Sequence, residues 1–106
     1  MTAPLVAPEL LDRVVAYFHP RRIILFGSQA RGDAGPDSDI DLLVVLDDDA
    51  PPELRTLRAG WESRRDYARA MDVITVRESV LKARARAIGS FAHIVLRDGV
   101  TVYERH

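Results

Sequence analysis

The chain contains no cysteine among its 106 residues. That excludes disulfides and thiolate zinc sites, and nothing points to an oxidising compartment. Lysine is almost missing too: fourteen of the fifteen basic residues are arginine, a skew that says little about function. No charge of one sign dominates. The formal net charge is −1, so there is no whole-protein pull toward nucleic acid or a membrane surface. No apolar run approaches the roughly 18 residues of a spanning helix. The start, MTAPLVAPELLDR, lacks a charged opening followed by a long apolar stretch and does not look like a signal peptide. Apolar residues make up 47%, enough for a core. The expectation is a cytoplasmic protein, with no membrane association, forming one domain over residues 1–106.

Pro8 and the following ELLDRVVAYF carry Leu10, Leu11, Val14, Val15 and Phe18 at helical spacing. His19-Pro20 ends that helix. Arg22 to Phe26 is a short apolar run typical of a buried strand. Asp39 to Leu46 predicts a second strand, Met71 to Val76 a third, and Val100 to Tyr103 a last short one. Helices are expected near Gln29, over Glu53 to Ala70, over Glu78 to Ile88 and over Phe91 to Leu96. The order is α-β-α-β-α-β-α-β, one α/β (α+β) domain built on a small sheet.

The chemistry concentrates in IILFGSQARGDAGPDSDIDLLVVL. An apolar strand ends in Gly27-Ser28, and after ten residues a second strand opens with Asp39-Ile40-Asp41. Alternation along a strand puts Asp39 and Asp41 on one face, with Cα atoms about 6.6–6.8 Å apart. Two such anions repel and resist desolvation. A hard dication relieves both, and Mg²⁺ commonly takes one or two carboxylates plus phosphate oxygens. Gly27 lets backbone approach a phosphate closely. A helix starting there aims free N–H groups at an anion. Ser28 adds a hydroxyl donor, and Arg31 adds positive charge. There is no Gly-Lys-Ser/Thr, so this is not a Walker A loop.

Asp72, at the start of MDVITV, is the one later carboxylate embedded in an apolar strand. If that strand neighbours DIDLLVVL, Asp72 reaches the same site. A two-metal site holds its ions about 3.5–4 Å apart and clamps both oxygens of an in-line displacement. Asp39 and Asp41 would bind the nucleotide's metal. Asp72 would ligate the second and help activate an acceptor hydroxyl. The plainer alternative is three solvated carboxylates at strand ends. The Gly-Ser, Asp-x-Asp and third aspartate in combination weigh against it.

Gly27-Ser28, Arg31-Gly32, Ser38-Asp39-Ile40-Asp41-Leu42 and Asp72 resemble the nucleotidyltransferase superfamily that includes DNA polymerase β, and within it the minimal nucleotidyltransferases. The ending VLRDGVTVYER also resembles the close of such domains. The resemblance implies a polymerase β-like fold, a small mixed sheet flanked by helices. It implies two Mg²⁺ ions, ATP or another NTP, and transfer of a nucleoside monophosphate to a hydroxyl. Asp39, Asp41 and Asp72 would be catalytic and metal-binding; Gly27, Ser28, Arg31 and Ser38 would contact the nucleotide. Members are often paired with a small helical HEPN-type toxin, some acting as antitoxins by adding AMP to a toxin tyrosine. Larger relatives carry extra substrate-binding domains, for which this chain has no room. The acceptor is then expected on a partner protein or on a surface built by homo- or hetero-oligomerisation. Two other readings compete: an antitoxin that only sequesters its partner, and transfer to RNA. Near-neutral charge without aromatic–basic interleaving makes a nucleic-acid partner unlikely.

Ser38 also suits a plain turn or cap role. Asp47-Asp48-Asp49 is expected to be a solvated loop. His19, His93 and His106 have no metal-ligand spacing. Trp61 is expected in the core, on a stripe with Leu54 and Leu57. At 100° per residue, Arg55, Arg58, Arg65 and Arg69 gather in one sector of the long predicted helix. That sector is either a solvated face with Glu62 as ion-pair partner or a dock for an acidic partner.

Overall fold

A computed structural model describes residues 6–27, 30, 32, 40–65, 67 and 71–105. Pro8 sits in the first turn of helix α1 (Pro8–Phe18), where a missing N–H is harmless. The helix stops because His19 turns left-handed (φ 48°), its N–H bonding Val15 O at 2.8 Å, ahead of Pro20. Strand β1 (Arg22–Phe26) follows, and its bounds match the apolar run read from sequence. Strand β2 is Ile40–Leu46, β3 is Met71–Arg77 and β4 is Val100–Glu104. The sheet order is β3-β2-β1-β4. β1 lies antiparallel to β2 and β4, whereas β2 and β3 run parallel. The result is a small mixed sheet, as the family resemblance implies.

Both faces of the sheet are covered. On one, Ile23, Leu25, Leu42 and Val44 pack against Leu10, Val14 and Phe18 of α1. On the other, Ile24, Leu43 and Val45 pack against Leu81 of α3 (Glu78–Ala85) and Ala92 and Val95 of α4 (Phe91–Asp98). Fully burying one such side chain contributes about 1.5–3 kcal/mol. With both faces buried, β2 carries a continuous apolar run rather than strict alternation.

The long helix expected over Glu53 to Ala70 does not form. A 3-10 turn, Pro52–Leu54, is followed by helix α2, Leu57–Ser63. Thr56 divides them: it is extended (φ −121°, ψ 157°), and its hydroxyl accepts the Ala59 N–H at 3.0 Å. That capping bond stabilises a helix start in the middle of the apolar periodicity. Trp61 is not in the core either. The buried face of α2 is Ala59, Gly60 and Ser63, because the helix crosses β3 at very short range. A Cβ on Gly60 would overlap Val73 O. Only small side chains fit there, so Leu57 and Trp61 turn outward.

The basic sector falls apart with the long helix. Arg55 precedes α2 and Arg65 follows it, and Arg69 lies outside the described residues. Glu62 does pair with Arg58 (3.8 Å) and Arg65 (3.9 Å). The helix expected to end at Ile88 stops at Ala85. Asp47 and Asp48 are more engaged than a solvated loop implies. Asp47 pairs with Arg105 (2.8 Å) and Arg21 (3.2 Å), and Asp48 accepts the Ser79 N–H (2.9 Å) at the start of α3.

Candidate active site

The parallel pairing of β2 and β3 sets Asp41 opposite Asp72. Register partners on adjacent strands share a face, with strands about 4.8 Å apart. On the other side of Asp41, the antiparallel pairing with β1 places Phe26. Phe26, Asp41 and Asp72 thus form one row across three strands, on the α3/α4 face. Phe26 closes one end of the row with an edge-on contact to Phe91 of α4, ring centroids 5.3 Å apart. Asp41 is half-buried and Asp72 exposed.

Gly27, the first residue after β1, bends the chain away beside this row. Its φ is +76°, a left-handed conformation that glycine adopts without strain. A Cβ there would overlap Oδ2 of Asp41. The glycine therefore meets two demands, the turn and the space for the carboxylate.

Past the carboxylates, the same face continues with Leu43 and Ile74 into an apolar cleft of ≈ 360 Å³, also lined by Val76, Leu81, Phe91 and Ala92. On the outer edge of β3, Asp72 borders a second groove of ≈ 330 Å³ with Leu57, Trp61, Arg64, Met71 and Ile74. Sequence reasoning missed that second groove. Its signal was present: Thr56 at cap spacing before Ala59, and Gly60 inside a helix.

Of the residues singled out from sequence, Gly27, Asp41 and Asp72 come together. Ser28, Arg31, Ser38 and Asp39 lie outside the described residues. Among the described residues, no three His, Cys, Asp or Glu side chains gather as a metal site. The Asp41–Asp72 pair fits a dication nonetheless. Two carboxylates side by side on a rigid sheet repel, and a hard cation with oxygen preference offsets that repulsion.

A family model described as nucleotidyltransferase domain matches residues 7–90. The chain belongs to the nucleotidyltransferase domain family. This match spans α1, Gly27, Asp41 and Asp72, all the described parts of the site. Among solved structures, a Sulfolobus solfataricus protein assigned as a nucleotidyltransferase superposes with a TM-score of 0.57 at 24% identity, covering 92% of this chain and 76% of that one. A toxin–antitoxin complex with AMP-PNP superposes with a TM-score of 0.60 at 18% identity, covering 95% of this chain and 76% of that one. At these identities the two structures share the fold. No curated protein matches the chain. Among the described residues, no helix of this nucleotidyltransferase is long and apolar enough to cross a membrane.

Proposed function

We propose that this nucleotidyltransferase moves AMP from ATP onto a hydroxyl of a partner protein, as the antitoxin of a HEPN-type toxin. The observation that carries the reading is the register of Asp41 with Asp72 beside Gly27, in a chain of this family. The likeness in fold to a toxin–antitoxin complex crystallised with an ATP analogue supports the partner and the nucleotide.

In this reading Asp39, Asp41 and Asp72 would hold two Mg²⁺ ions, which supply neutralisation of the triphosphate charge. Backbone N–H groups at Gly27-Ser28 bind phosphate oxygens, with Arg31 and Ser38 as further contacts. Gly27 keeps the backbone close enough for this without displacing Asp41. Asp72, at the exposed end of the row, orients the acceptor hydroxyl and takes its proton. The hydroxyl oxygen bonds to the α-phosphorus. The bond from that phosphorus to the bridging oxygen breaks, and pyrophosphate leaves with the electron pair.

Incubation with labelled ATP, Mg²⁺ and the product of the neighbouring gene tests the proposal. Label should pass to that protein with the wild-type chain and not with Asp41→Asn. Equal labelling by the variant refutes the mechanism. Neutralisation of the toxin by an inactive Asp41→Asn chain would instead identify sequestration as the means of control.

A further inference from the structure

We infer that the groove between α2 and the outer edge of β3 docks an acidic polypeptide segment with an apolar centre, and that this segment carries the acceptor hydroxyl. The inference rests on the nucleotidyl-transfer reading of Asp41 and Asp72. Its own evidence is the groove. Leu57 is 80% exposed and Trp61 49% exposed, and both line the groove that Asp72 borders. They stand one helical turn apart, so they form a single stripe, with Arg64 a further turn on. Large apolar side chains turned outward beside a candidate site mark a contact surface.

The position of this stripe follows from the fold. Gly60 brings α2 against Val73 O, and that close approach leaves the large residues of α2 on the rim. The Trp61 ring is held in place by the Arg65 guanidinium, 5.7 Å from its centroid. Arg65 is tied down in turn, since Arg13 donates to its carbonyl oxygen at 2.6 Å. An aromatic and aliphatic centre with an arginine rim is the usual anatomy of a binding hot spot.

Charge chooses the occupant. Three arginines, Arg58, Arg64 and Arg65, stand on or just after α2 against one carboxylate there, Glu62; Arg64 lines the groove itself, as does Asp72 from β3. A segment with carboxylates flanking an apolar centre complements that rim. A nucleic-acid strand fits less well, because Leu57, the more exposed apolar residue of the stripe, offers no ring for a base to stack on.

Trp61 is the only tryptophan, so its fluorescence reports occupancy of the groove without any need for turnover. The full chain is titrated with a synthetic peptide that has a leucine–serine–leucine centre flanked by glutamates. Saturable blue-shifted emission is expected, weakening with salt. A lysine-flanked peptide and an oligouridylate should give no shift. Arg58→Glu/Arg64→Glu should bind the acidic peptide about tenfold more weakly. Leu57→Asp, at an exposed position away from the core, should abolish the shift. No shift with the acidic peptide, an equal shift with the lysine-flanked peptide, or a shift with the oligouridylate alone overturns the inference. Because Asp41→Asn leaves the groove intact, that variant should still show the shift. Failure of transfer chemistry is thereby distinguished from failure of docking.

Discussion

Gly27 stands where any side chain would collide with the carboxylate of Asp41. Gly27 directly follows β1 and Asp41 lies on β2, and the pairing of Phe26 with Asp41 holds the two together. The glycine at the end of the first strand is thus a steric condition for the carboxylate on the second.

Gly27→Ala should be damaging in two separable ways. A non-glycine residue at φ +76° costs roughly 1–2 kcal/mol, which a denaturant titration would measure. The added Cβ also displaces the Asp41 carboxylate, and a misplacement of about 1 Å lowers turnover roughly hundredfold. Loss of stability with full NTP turnover would show that Asp41 has room to move.

Removing one charge of the Asp41–Asp72 pair should separate binding from folding. Asp72→Asn is expected to lower Mg²⁺ affinity in calorimetric titration and to abolish transfer. Its melting temperature without metal should be unchanged or higher, because like charges on adjacent strands are destabilising. A markedly lower melting temperature would identify Asp72 as structural.

Gly60→Ala should destabilise the fold by about 1–3 kcal/mol, the range for overpacking a tight contact. Val73 O is backbone in β3 and has little freedom to yield. Urea unfolding would measure the change, and a neutral result would mean that α2 can slide outward. The same variant should alter Trp61 emission, since the indole is the next residue along α2.

The far end of β2 carries a pH-sensitive tie. Hydrogen bonds from Arg105 hold the Asp47 carboxyl below its ordinary pKa, with Arg21 adding to the effect. A carboxylate with a depressed folded-state pKa stabilises fully above its unfolded value, about 3.9, and loses that contribution as pH falls through the folded value. Wild type should therefore melt above Asp47→Asn at pH near 6. The two curves should converge below about pH 3.9. A constant gap down to the lowest pH would assign the difference to packing. The Asp47→Asn substitution is not expected to change transfer, the site being about 20 Å away along β2.

β1 could be read to the residue, because a short β-branched run between Pro20 and Gly27 leaves few alternatives. α1 was equally plain, with Pro8 at its start and His19-Pro20 at its end. Periodicity alone does not predict where α2 starts or which way it faces. Leu57 and Trp61 do form a stripe, but a stripe does not say what it faces. Thr56 as cap and Gly60 as contact were the deciding local facts.

Local chemistry thus announces a strand ending in Gly27 and a strand carrying Asp41, together with a later acidic strand at Asp72. These depend on neighbours in sequence and on periodicity. The tertiary structure decides that β2 and β3 lie parallel with Asp41 beside Asp72, a pairing across some thirty residues that no local preference dictates. It also decides that Gly27 clears the Asp41 carboxylate, and that Gly60 turns Trp61 toward the groove that Asp72 borders. Each of these is a close approach between distant segments, set by how both faces of the sheet bury their apolar rows.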